Sequence, residues 1–414
     1  MTSRTVPGPR LTQVRTLGRA DLRRVVAVLC TTQIVSWGIL FYAFPVLVTT
    51  ISGTEGWSLS SLVAVLTGAQ LIAAAAGIWI GRHIDRHGPR GVMTAGSVVG
   101  VASVAAIAAS PSLATFALAW AGVGLAMSAT LYPPAFTAVT HWAGASRVKA
   151  LTAVTLVGGF ASTVFAPLTA LLVDQLTWRQ TYLVLAVLLC ATVPLHWWGL
   201  RDSWVVETRS DEAEHPGLRS PRPAGAPPRP EFLLLAAALT LGGFCLYAVV
   251  VNLVPLLTEG GLTTGEAAVA LGVGGIGQVA GRLLYGPVMT RMPVRARMVT
   301  TLLAGSLTTA GLATIHEPLV VVGVVAFAAG TARGIFTLIK ATAVADRWGT
   351  MAYGARSAWI SGSVTAVAAL APWACAATAD ATGSFATTFL LLAGLAALAA
   401  ALTPGTAQPK RPEM

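Results

Sequence analysis

The sequence predicts an all-α integral membrane protein, with twelve transmembrane helices in two pseudo-symmetric six-helix bundles. Three observations lead there. The 414-residue chain is 55% hydrophobic and only 10% charged, with a mean hydropathy of +0.72, whereas soluble domains carry about 25% charged residues. Its apolar runs are long enough to cross a bilayer at roughly 20 residues each. The second half also echoes the first: Gly81 recurs as Gly286, Arg86 as Arg291 and Pro167 as Pro372, each 205 residues on. A shared offset across two different spans points to an internal duplication.

Residues 1–24 form a polar, Arg-rich N-terminal tail. The apolar run from Val25 to Ile51 is too long for a cleaved signal segment and reads as a retained first span. Spans at 25–50, 58–80, 91–110, 112–141, 149–174 and 180–199 make a first bundle over 25–199. Residues 200–230 break the pattern with six prolines and ten charged residues, the composition of a flexible linker. Spans at 231–257, 265–289, 298–315, 318–345, 354–379 and 384–403 make a second bundle over 231–403, and 404–414 is a tail. The segments are too long, and too little alternating, for a membrane β-barrel.

Loop charge sets the expected orientation. With the N-terminus in the cytoplasm, Arg179 is the one basic residue placed outside, and Arg282, Arg333 and Lys340 fall within spans. The remaining Lys and Arg residues, out of 27, lie on the cytoplasmic side. This asymmetry puts both termini and the linker in the cytoplasm of a multi-pass plasma-membrane protein. The net charge of +11 is therefore a topology signal with anionic lipid headgroups as neighbours, and no nucleic-acid partner is needed. Cys30, Cys190, Cys245 and Cys375 are scattered through apolar runs without metal-ligand spacing. No metal, no cofactor and no catalytic constellation is expected, so the chain does not read as an enzyme. The short loops suggest a monomer.

One stretch, Gly81–Gly91 (GRHIDRHGPRG), concentrates charge between two apolar runs and must lie at a membrane surface. Gly81, Asp85, Arg86, Gly88 and Arg90 resemble the signature loop between the second and third helices of the major facilitator superfamily, with Pro89 replacing one basic residue. The 6+6 layout, the charged linker and the Trp178-Arg179 pair opening the sixth span strengthen that resemblance. It implies two bundles around a central cavity and transport by alternating access, with Gly81, Asp85, Arg86, Gly88 and Arg90 acting as a gating loop. In the repeat, Thr290 stands where Asp85 would be, so the gate is expected to be asymmetric.

Buried charge marks the candidate binding site, because an ionised group inside a bilayer is disfavoured by a few kcal/mol or more. Arg282 lies nine residues before Arg291, about 13 Å from the cytoplasmic edge, and Arg333 thirteen before Asp346, about 20 Å deep. No Asp or Glu lies at mid-depth in any span. Two such guanidinium groups either hold an anionic ligand, with planar donors that suit carboxylate or phosphate, or lock helices by bonding carbonyls. Lys340, six residues from Asp346, reads as reaching the interface. Gln33, Trp37, Tyr42, Tyr132, Asn252, Gln278 and Trp359 are further candidate cavity contacts. Polar Asn252 and Gln278 should point away from lipid.

The sequence Gly277-Gln278-Val279-Ala280-Gly281-Arg282, four residues before Gly286, resembles the monocarboxylate transporter branch, where that arginine binds the substrate carboxylate. Two departures stand out: Gln278 replaces an acid often found there, and the first span lacks an acidic-Gly start. The Gly277–Gly281 spacing suits intramolecular helix packing. The expected function is a secondary transporter for a small organic anion such as a monocarboxylate. The alternatives are an efflux carrier for drugs or secondary metabolites and a transport-inactive membrane sensor.

Overall fold

The computed structural model describes residues 17–204, 230–349 and 353–406. The outer parts of both tails and linker residues 205–229 therefore lie outside the described residues. Every described element is helical, as lipid demands of backbone groups that have no water to bond. Six helices make the first bundle: α1 (Arg19–Glu55), α2 (Leu59–His87), α3 (Pro89–Ala108), α4 (Leu113–Trp142), α5 (Gly144–Gln175) and α6 (Trp178–Gly199). Six make the second: α7 (Pro230–Glu259), α8 (Thr264–Tyr285), α9 (Val294–Thr314), α10 (Leu319–Thr342), α11 (Tyr353–Ala368 and Ala371–Thr382) and α12 (Phe385–Leu402).

Nine of the described helices are long and apolar enough to cross a membrane by length and composition. The others are α8, whose apolar run is the shorter Val269–Tyr285, α9, which is rich in Thr, Ser and Gly, and the divided α11. The breaks repeat between bundles, since α5 is interrupted at Phe160 and α11 before Ala371. The helices alternate in direction, so the bundle has an end carrying Asp85 and a far end. Of the helices that start at the far end, α2, α4, α6, α8 and α12 begin on local Ser or Thr caps, and α10 begins after Pro318. Ser112 with Thr115, Thr177 with Gln180 and Thr263 with Glu266 form reciprocal capping boxes that satisfy the first free N–H groups.

The expected Gly81–Gly91 loop is mostly helix. The α2 helix runs on through His87, and the chain turns at Gly88 alone, with φ +81°, before Pro89 starts α3 with the fixed φ that suits a first helical position. The repeat at Gly286 differs: α8 stops at Tyr285, so the duplication has diverged in backbone as well as in the missing acid.

Buried apolar residues separate the two ends. One core, including Leu47, Phe116 and Trp120, comes wholly from the first bundle, and another, including Leu253, Leu256 and Phe389, wholly from the second. A third draws on both, packing Val25, Phe136, Trp142 and Leu151 with Leu239, Tyr285, Ile339 and Tyr353. Those last residues sit at the Asp85 end. The bundles are thus sealed together at the Asp85 end, while at the far end each keeps a core of its own.

Candidate functional site

Between the bundles lies a cavity of about 710 Å³. Its first-bundle wall is aromatic: Trp37, Phe41, Tyr42, Tyr132 and Phe136 line it. Their rings touch, with Trp37 5.1 Å from Tyr132 and 5.5 Å from Phe41, and Tyr132 stacked on Phe136 at 5.0 Å between centroids. Local backbone explains this grouping. Residues Gly38–Tyr42 form a π-helical turn within α1, a wide turn often found at functional sites. That register brings residues four and five after Trp37 round to its own side. At Gly38, α5 approaches so closely that a Cβ there would overlap the Phe165 ring. On α4, Pro133 and Pro134 follow a break at Leu131, turning Tyr132 into the cavity.

The second-bundle wall is cationic. Arg282, Arg333 and Lys340 all line the cavity, carried by α8 and α10, and no Asp or Glu is among its lining residues. Glycine makes that helix pair close. A Cβ on Gly277 or Gly281 would strike the carbonyls of Phe327 or Thr331, and one on Gly330 or Gly334 those of Gly274 or Gln278. The Gly277–Gly281 spacing therefore packs α8 onto α10, the small-residue contact that lets membrane helices approach.

Arg282 is 5% exposed. Its Nη1 donates to the Thr155 carbonyl of α5 at 2.6 Å, a bond between bundles. Gly159 leaves the space for it, since a Cβ there would overlap Nη1. The Tyr132 hydroxyl makes a long contact of 3.5 Å with the same carbonyl. Arg333 is held by its own bundle: Nε donates to Gln278 Oε1 at 3.1 Å and Nη2 approaches the Gly274 carbonyl at 3.4 Å.

The expected depths need correction. Arg282 and Arg333 are level with each other, because a Cβ on Gly334 would lie 3.1 Å from the Arg282 backbone nitrogen. The sequence estimate took Asp346 as the membrane edge. It is instead part of a mostly buried cluster, paired with Arg147 of the first bundle at 2.6 Å and Arg297 at 3.2 Å. Lys340 consequently does not reach an interface. It lies on the cavity wall, and among the described residues no hydrogen bond or ion pair engages it.

Of the other expected contacts, Trp37, Tyr42, Tyr132 and Gln278 line the cavity and Gln33, Asn252 and Trp359 do not. Gln33 is fully buried and donates to the Thr130 carbonyl at 2.6 Å, tying α1 to α4. Asn252 bonds back to the Ala248 carbonyl of its own helix at 2.9 Å. Trp359 is 50% exposed and is not among the α11 residues lining the cavity, which include Ala358, Ser361 and Gly362. Gln70, Ser128, Thr337, Ser361 and Thr365 join the wall. Single hydroxyls and amides inside apolar spans gave no sign of which way they point.

At the sealed end the Asp85 carboxylate accepts backbone N–H bonds from Gly354 at 2.7 Å and Ala355 at 2.8 Å. These open the first turn of α11, so an acid of one bundle caps a helix of the other, where it also meets the positive end of the helix dipole. Gly81 and Gly354 allow the approach, each lying against the other's carbonyl. Trp204 braces the turn from beneath: its indole donates to the Asp85 carbonyl at 3.1 Å and its ring fills the space a Cβ on Gly88 would take. Arg90 donates to the Trp197 carbonyl at 2.8 Å and lies 4.0 Å from that ring's centroid. Arg86 is exposed.

Residues 29–338 match the family model of the Major Facilitator Superfamily. The chain belongs to that superfamily. No curated protein sequence matches it. Among solved structures, this superfamily member is similar to the human organic anion transporter MFSD10 (TETRAN), with a TM-score of 0.69, 16% identity, and coverage of 92% of this chain and 99% of that one. It is also similar to the E. coli fucose:proton symporter FucP, in a single-site variant, with a TM-score of 0.68, 14% identity, and coverage of 93% and 98%. FucP in the outward conformation gives a TM-score of 0.67 at 16% identity, covering 94% and 100%. At these identities the likeness shows a shared fold, twelve helices in two bundles; the family match makes the chain a multi-pass membrane protein of that transporter superfamily.

Proposed function

We propose that the protein is a secondary transporter that moves a small organic anion, a monocarboxylate being the simplest such cargo, by alternating access between the two bundles. The observation that carries this reading is the charge of the cavity: Arg282, Arg333 and Lys340 line it together, with no carboxylate among the lining residues. Unbalanced guanidinium groups in a low-dielectric space favour an anion, and their planar donors match a carboxylate. The similarity in fold to an organic anion transporter agrees with it.

The Arg282–Thr155 bond suggests how binding couples to motion. A cargo carboxylate is a stronger acceptor than a neutral carbonyl, so it would draw Arg282 off Thr155 and release one of the bonds that join the bundles. Asp85 on α11 would hold the sealed side until then. We place that side in the cytoplasm, with both termini and the 200–230 linker between bundles 25–199 and 231–403, in the plasma membrane, and take the working unit as a monomer. A proton, if one is coupled, would travel on the cargo, because no lining residue is an acid.

Arg282→Ala tests the reading. Loss of two charge-assisted hydrogen bonds, each contributing about 1.5–3 kcal/mol, should weaken carboxylate binding to the purified protein by roughly a hundredfold or more. Unchanged binding, measured by calorimetry, would sink the anion assignment. The aromatic wall of Trp37, Phe41, Tyr42, Tyr132 and Phe136 supports a second reading, efflux of flat apolar compounds with the arginines structural. Thermal stabilisation by apolar cations and by no carboxylate would select it.

A further inference from the structure

The three cations of the cavity are not equivalent. Arg282 and Arg333 share a level, and each is partly satisfied by protein oxygens: the Thr155 carbonyl for one, Gln278 and the Gly274 carbonyl for the other. Lys340 is seven residues beyond Arg333 on α10. Two helical turns return it to the same face, about 10.5 Å further toward the sealed end, with Phe336 and Thr337 between them on the wall. It has no hydrogen bond or ion pair among the described residues. The nearest acid along the chain, Asp346, is already held by Arg147 and Arg297. Across the bundle boundary the lining offers neutral groups, Phe136 of the first bundle among them.

A single carboxylate engaging the arginine pair would leave the half-buried Lys340 ammonium without a counter-charge in a cavity sealed beneath it, and a poorly solvated ammonium with no anionic partner is disfavoured. We propose that Lys340 forms a second anionic subsite, so that the preferred cargo is a small organic dianion, a dicarboxylate. One carboxylate lies at the Arg282–Arg333 level and the other lies deeper, against Lys340. This rests on the anion reading above and narrows it. Lys340 thereby sets specificity by counting the cargo's charges, while the arginines supply the site common to all its anions.

The experiment is isothermal calorimetry at fixed ionic strength on the full-length purified protein. Succinate and glutarate are compared with their chain-matched monocarboxylates, butyrate and pentanoate. The wild type should bind the dicarboxylates about tenfold or more tightly than the monocarboxylates. Lys340→Gln should erase that preference, lowering dicarboxylate affinity about tenfold more than monocarboxylate affinity, and Lys340→Arg should restore most of it. If Lys340→Gln does not fold, the wild-type comparison still decides. Monocarboxylates that depend on Arg282 yet bind as well as dicarboxylates would overturn the dianion proposal and leave the anion reading standing. Binding of neither class would overturn both.

Discussion

The two walls of the cavity contrast in chemistry although the two bundles share a six-helix plan. The first bundle presents rings and a backbone carbonyl, through Trp37, Tyr42, Tyr132 and Thr155; the second presents Arg282, Arg333 and Lys340. At the sealed end the polarity persists, since the first bundle supplies the Asp85 carboxylate and the second a helix N-terminus. The Arg147–Asp346 pair runs the other way. On the proposed function, the two bundles divide the labour: one would hold charge toward the cargo, and the other would shape the space and carry the latch.

Four substitutions break or sharpen this contrast. The largest effect is expected at Asp85→Asn. It removes the charge from two hydrogen bonds and from the dipole of α11, so the bundles should part more easily at this end by roughly 2 kcal/mol, about thirtyfold in the equilibrium between states. Spin-label distances across the Asp85 end would show the shift; an unchanged distribution would mean the apolar seal alone holds that end closed. Gly159→Ala comes next, and it tests whether the walls are independent. The new methyl would occupy the place of Arg282 Nη1, so anion affinity should fall about tenfold although no charge is lost, an effect of order 1.4 kcal/mol. Wild-type affinity in a calorimetric titration would show that the first bundle does not position the arginine.

Tyr132→Phe should be milder. Its 3.5 Å contact with Thr155 is long, and the ring stacking survives, so anion affinity should change by about threefold or less, under roughly 1 kcal/mol. A larger loss would move part of the anion site onto the aromatic wall. Trp359→Leu should change neither cargo affinity nor melting temperature beyond about 0.5 kcal/mol equivalents, because the side chain is half exposed and not among the cavity-lining residues.

Much of the frame was legible because lipid leaves few choices: length and hydropathy identify spans, and a charged turn marks a surface. The deep arginines stood out for the same reason. The partners did not. Asp85 was visible as an unshared acid, but it bonds backbone N–H groups of Gly354 and Ala355, which every residue except proline possesses and no pattern advertises. Lys340 was misplaced because depth was measured from Asp346, and a charged residue marks the membrane edge only when water, rather than two arginines, solvates it. Gln278 reads as a cavity contact and lies on the cavity wall, yet its amide also holds Arg333, a pairing that needs the α8–α10 register. Trp359 shows the limit of residue type alone: an aromatic side chain on a spanning helix is equally suited to lipid.

The α2–α11 contact includes Gly81 against Gly354 at the sealed end and Ala74 against Gly362 at the cavity wall. No large side chain of one helix is locked behind another along those positions. Such a seam behaves as a bearing with low friction: once the Asp85 bonds yield, the helices can slide or tilt apart without withdrawing interdigitated side chains one after another. Resistance to opening is then concentrated in a short-ranged latch. Opening must also break the Arg147–Asp346 pair, the Arg282–Thr155 bond and the shared apolar core. The Asp85 cap is thus one element of the latch, and the motion should be abrupt in onset along this seam.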